Sequence, residues 1–191
     1  LLIMFAIGVA AGALTVNGLS AIQSEELANY FNGFLQLLDN QEINGWSLFS
    51  VSLMDNIKIT GLLWLLGLTI IGIPLIFITL AVKGFIIGFS AGFVIKAIGL
   101  KGIVFTIFAM LPKEIILVPC LIAIGVNGIN FSMKILRSRS VKSVLKGGFK
   151  ADFFSYCFVV LFFSLLMLVG LLIEAYVIPV FIRIISPIIL K

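Results

Sequence analysis

The sequence contains no histidine, and among its 191 residues only eight are acidic and two are cysteine. Without histidine there can be no Ser-His-Asp triad, no imidazole metal site and no His-Glu-x-x-His helix. The phosphate loops GxxxxGK[ST] and GxGxxG are also missing. Five acids (Glu25, Glu26, Asp39, Glu42 and Asp55) share one polar stretch, and only Glu114 and Glu174 are embedded in apolar surroundings. An intramembrane aspartyl protease would need two aspartates there. Cys120 and Cys157 each lie inside an apolar run, so no disulfide framework organises the chain. The reading is of a chain that is not an enzyme and needs no cofactor and no metal.

Charge is equally scarce. Charged residues make up 11% of the chain and hydrophobic residues 62%, against roughly 25% charged in a soluble domain. A lipid-exposed surface tolerates this and a water-exposed one does not. The net charge of +5 does not indicate nucleic acid, because the basic residues cluster between apolar spans as the positive-inside rule expects. The environment read from composition is the lipid bilayer, and the fold class is an all-α polytopic integral membrane protein.

About 20 apolar residues cross a bilayer, and that length divides the chain into about five transmembrane helices. The first span is 1–22, which lacks the basic start of a signal peptide. The others are 57–82, interrupted near Gly72 and Pro74 and ended by Lys83, then 84–98, 115–133 and 151–173. Pro112 and Pro119 divide the long apolar run before Met133, leaving a short broken or re-entrant helix at 103–111. Gly8 and Gly12 in the first span, and Gly84, Gly88 and Gly92 in the third, form small-residue faces. Such faces allow close helix packing within the chain or in a homodimer.

Segment 24–56 is different. Leu27, Tyr30, Phe31, Phe34, Leu35 and Leu38 form one helical stripe opposite Asn29, Asn32, Gln36 and Asp39. Ser24 is the expected N-cap and Gly45 the expected end, with Trp46 as an interfacial anchor. This reads as an extracytoplasmic amphipathic helix, with Leu27, Tyr30, Phe31, Phe34 and Leu38 as a partner-binding stripe. Lys134, Arg137, Arg139, Lys142, Lys146 and Lys150 make 134–150 a basic cytoplasmic loop. The N-terminus is then cytoplasmic, the C-terminus extracytoplasmic, and the tail 179–191 interfacial. Lys113, Glu114, Glu174 and Tyr176 form a candidate buried polar cluster, with Lys113 paired to Glu174. The alternative is that Glu114 caps a helix start and Lys113 reaches the interface. Asn127 and Asn130 read as interhelical hydrogen-bonding groups.

Several segments stand in a familiar order: Gly61-Leu62-Leu63-Trp64-Leu65-Leu66-Gly67, Ile71-Gly72-Ile73-Pro74, Val82-Lys83-Gly84-Phe85, Met110-Leu111-Pro112-Lys113-Glu114 through Pro119, and Glu174-Ala175-Tyr176-Val177-Ile178-Pro179. Together they resemble the stage II sporulation protein M family of endospore-forming bacteria. The wider family often carries Leu-Pro-His-Gly and a Glu before the second proline, where this chain has Lys113, Glu114 and Leu117. Any role of that His and Glu does not transfer. The resemblance implies a non-enzymatic scaffold in the septal and engulfing membrane of the mother cell. Its implied partners are the peptidoglycan-degrading stage II sporulation proteins P and D. The competing expectation is a transporter or channel component, its broken helices lining a solute path.

Overall fold

In an apolar medium each backbone N–H and C=O must be satisfied within the chain, and a run of apolar residues does this by forming helices. The computed structural model describes residues 1–20, 22–29, 33, 45–138 and 148–177, and among these there is no strand. The helices are α1 (Leu2–Asn17), α2 (Ile22–Asn29), α3 (Gly45–Gly67), α4 (Gly72–Ile98), α5 (Leu100–Phe105), α6 (Leu111–Ser138) and α7 (Gly148–Leu172). Wider i→i+5 turns occupy Thr106–Met110 and Ile173–Val177. Among the described residues, four helical stretches are long and apolar enough to cross a membrane alone, and α1 with α2 makes a bent pair that would bring the number to five.

The packing of α1 on α4 is set by glycine. A methyl on Gly8 would overlap the Ala81 carbonyl, and one on Gly12 the Phe85 carbonyl. Reciprocally, Gly84 lies against the Phe5 carbonyl and Gly88 against that of Val9, while a methyl on Gly92 would meet Ala13 Cα at 3.2 Å. The contacts advance together along both helices, so α1 and α4 run parallel at backbone contact, with carbonyls facing glycine Cα–H groups. Both small-residue faces are therefore used within the chain, and neither is left to join a second copy. Lys96 adds a tie at the far end, donating from Nζ at 2.8 Å to the Val16 carbonyl, which also accepts from the Leu19 N–H at 3.4 Å.

The boundary between the second and third spans differs from the expectation. The expected span 57–82 does not exist, because α3 ends at Gly67 and α4 runs unbroken from Gly72 through Lys83 to Ile98. Pro74 is the third residue of α4, in the first turn, where its missing N–H costs no helical bond. The turn between the helices is closed by Ser132. Its Oγ lies 2.8 Å from the carbonyls of both Gly67 and Thr69 and shares its single proton between them. Gly45 likewise begins α3 instead of ending an amphipathic helix, and a methyl on it would meet the Ala175 carbonyl at 3.2 Å. Residues 45–56, expected in the outer segment, are thus the leading turns of α3. The cap of α2 is Ser20, not Ser24: the Gln23 N–H donates to Ser20 Oγ at 3.3 Å and the Ser20 N–H to Gln23 Oε1 at 3.2 Å, a reciprocal capping box.

The chain turns after α4 at Gly99, whose φ of +62° favours glycine. From Leu100 to Ser138 it stays helical, so 103–111 is not a separate broken helix. Pro112 is absorbed by the wide turn before it, where the Leu111 N–H bonds to the Thr106 carbonyl. Pro119 lies inside α6 and leaves the Ile115 carbonyl without its usual helical donor.

The core gathers α3, α4, α6 and α7 around Leu63, Ile76, Leu80, Leu121, Ile124 and Tyr156, all buried. Phe131 and Tyr156 stack at 4.6 Å and 9°. Tyr156 donates its hydroxyl to the Trp64 carbonyl at 2.8 Å, and Asn127 donates to the Tyr156 carbonyl at 3.2 Å. Asn127 therefore bonds across helices as expected of it, whereas Asn130 is exposed. α6 and α7 run antiparallel, with Lys134 against Asp152 at one end and Lys113 against Glu174 at the other.

Candidate docking groove and intramembrane charges

The residues of α3 at 53, 56, 57, 60, 61 and 64 recur at three and four and share one face of the helix. On α7 the same spacing puts Cys157, Val160, Leu161, Ser164, Leu165 and Leu168 on one face. These faces are the walls of a cavity of about 650 Å³ that opens sideways from the bundle. Its floor is closed where Thr60 Oγ1 reaches Met167 Sδ at 3.8 Å. The helices also approach at either end, Gly45 against Ala175 and Gly67 against Tyr156. The groove follows α7 from Cys157 to Leu171, about 21 Å at 1.5 Å per residue, or two thirds of a hydrocarbon core of about 30 Å.

Its lining is apolar with a few polar exceptions. Asn56 donates to the Ser52 carbonyl at 2.9 Å, but its Oδ1 has no hydrogen-bond partner among the described residues. Ser164 donates back to the Val160 carbonyl at 2.7 Å. Thr60 and Gly61 also line it. Most glycines in the long helices are pressed against a neighbour, yet a methyl on Gly61 would meet nothing within 4 Å among the described residues.

A second polar feature crosses the bundle near the α6 start. Lys113 and Glu174 form an ion pair at 2.5 Å, with side chains 26% and 13% exposed. Glu114 is half-buried, and its Oε2 has no hydrogen-bond partner among the described residues. Its electrostatic neighbours are Lys83, Lys113 and Glu174. Two lysines and two glutamates therefore balance at no net charge. Tyr176 does not belong to this group; it is 56% exposed and lies against Gly45. Lys83 was not expected here. It is the twelfth of 27 residues in α4, which puts its charge about midway along a membrane-length helix, a costly position without a counter-charge.

Of the proposed partner-binding stripe, Leu27 lies in α2 and is half-buried. Tyr30, Phe31, Phe34 and Leu38 lie outside the described residues, as do most of the basic loop and the tail 179–191.

Long apolar helices, a lateral apolar groove and internally balanced charge define a polytopic helical membrane protein with an open lateral face. Over residues 1–179 the chain matches the family described as Stage II sporulation protein M. It belongs to that family, and is accordingly a sporulation-related membrane protein. No curated protein and no solved structure matches it significantly.

Proposed function

We propose that this chain is a non-enzymatic scaffold in the mother-cell membrane. It recruits and positions the peptidoglycan-degrading stage II sporulation proteins P and D as the forespore is engulfed. Family membership supports the setting. The observation that carries the reading is the groove between α3 and α7, open to the side and lined mostly by apolar groups. A conduit for solutes needs polar walls running along the membrane normal, whereas a platform for membrane-anchored partners needs an accessible lateral face. The orientation in this reading rests on the basic 134–150 segment, which sets that end in the cytoplasm. Partners that act on the cell wall then meet the chain within the bilayer and on its outer side. The test is the localisation of fluorescently tagged P and D in sporulating cells lacking this chain. Dispersed label restored by re-expression supports recruitment, and label still focused at the septum contradicts it.

A transport role is the second reading, and Lys83 is the observation that favours it. A lysine midway along α4 and in the field of Glu114 has the character of an intramembrane relay. Solute or proton flux in liposomes abolished by Lys83→Met would establish that reading, and absence of flux would remove it.

A further inference from the structure

We infer that the outward face of α3 docks a second copy of this chain, held by the Asp55–Lys58 pair across a two-fold axis along the membrane normal. The contact does not depend on the scaffold reading. α3 is loosely embedded: of its 23 residues, the described residues bury Thr60, Leu63 and Gly67. On the outward side Asp55 and Lys58 form an ion pair at 3.2 Å, with side chains 65% and 67% exposed.

That pair lies deep in the membrane. Lys113–Glu174 and Lys134–Asp152 tie α6 to α7 at two levels. Lys113 and Lys134 stand about 32 Å apart along α6 at 1.5 Å per residue, close to the hydrocarbon thickness of about 30 Å. α3 fits between the same levels. A methyl on Gly45 would meet the Ala175 carbonyl, beside Glu174, and one on Gly67 the hydroxyl of Tyr156, one turn from Asp152. Asp55 and Lys58 are the eleventh and fourteenth residues of α3, and so sit about midway across. Acyl chains solvate neither charge at that depth. Water suits the face no better, because Val51, Leu62 and Leu65 continue it with exposed apolar groups.

What covers the face must therefore bring both signs of charge. The segments of this chain outside the described residues bring one sign each: Asp39 and Glu42 in 30–44, Arg139, Lys142 and Lys146 in 139–147, and Arg183 and Lys191 in 178–191. An acidic segment would satisfy Lys58 and oppose Asp55, and a basic one would do the reverse. A second α3 brings both signs at the matching depth. Val51, Asp55, Lys58, Leu62 and Leu65 recur at four and three, the spacing of a seam between two parallel helices. A two-fold contact sets the same surface against itself. Asp55 of each copy then comes beside Lys58 of the other, the charges alternate and cancel, and the apolar residues close the seam above and below.

The test reconstitutes the full chain, singly labelled with a fluorophore, in phosphatidylcholine–phosphatidylglycerol liposomes and counts bleaching steps. The unaltered chain is expected to be dimeric. Asp55→Lys leaves only positive charge in the seam and Lys58→Asp only negative. Each should lower the dimer fraction by at least about tenfold, as like charges brought together do. Both side chains are exposed, so the unfolding midpoint should not move. Mixed in equal amounts, the two variants should pair again, since one copy then offers lysines to the aspartates of the other. A monomeric unaltered chain overturns the proposal. So does a dimer that survives both substitutions, or a mixture of well-inserted variants that stays monomeric. Charge reversal also burdens membrane insertion, so benzoylphenylalanine in place of Leu62 gives an independent reading in the otherwise unaltered chain. The expected adduct is with a second copy. Adducts only with lipid, with residues 178–191 of the same chain or with another protein overturn the face as a self-contact.

Discussion

The Cα of Gly88 in α4 lies directly against the carbonyl of Val9 in α1, with no room for a methyl group between them. Because the obstructing atom is backbone, it cannot rotate away as a side chain would. Gly88→Val should force the two helices apart and destabilise the fold by about 3 kcal/mol or more, at the upper end of overpacking effects. Gly61→Ala, where a methyl meets none of the described residues, should change stability by less than about 0.5 kcal/mol. Unfolding in mixed micelles followed by fluorescence of Trp46 and Trp64 measures both.

Breaking the Lys113–Glu174 pair should cost more than the pair contributes. Glu174→Gln leaves a partly buried ammonium without its counter-charge, with an expected loss of about 2–4 kcal/mol. The exchanged double variant Lys113→Glu/Glu174→Lys should recover most of it. A Glu174→Gln protein as stable as the unaltered chain would contradict a structural ion pair.

Lys83 and Glu114 should be energetically coupled across α4 and α6. Lys83→Met or Glu114→Gln alone leaves a charge unbalanced. Together they remove opposite charges, so the double variant should be more stable than the sum of the single losses, by about 1 kcal/mol. Strict additivity in a double-mutant cycle would show that the two do not interact.

Ser132 holds the α3–α4 turn. Ser132→Ala removes the hydroxyl donor of the Gly67 carbonyl and leaves the Thr69 carbonyl with the Gly72 N–H alone, and should cost about 1–3 kcal/mol. Ser164→Ala, whose hydroxyl only bonds back to its own helix, is the control and should cost little in the same unfolding measurement.

These predictions track what the sequence made readable. Glycine spacing at 84, 88 and 92 and at 8 and 12 marked two faces for close contact, because only glycine lets backbones approach that far. That the two faces meet one another was not legible, since each is an equally good partner for a second copy. The α3–α4 turn was missed because Leu68–Ile71 carries no charge and no proline, so hydropathy runs smoothly across it. The charge of Lys83 looked like the end of a span; the structure places it inside α4, within the field of Glu114. Pro112 looked like a break because its remedy, the wide turn at Thr106–Met110, has no signature in residue type. The groove needs α3 and α7 side by side, a tertiary fact that the stripes at 53–64 and 157–168 do not disclose separately.

The most direct measurement of the central claim is co-purification of this chain with stage II sporulation proteins P and D from mild detergent, using a monodisperse preparation. The account predicts that at least one of them is retained in stoichiometric amount. A well-folded chain that retains neither would contradict it.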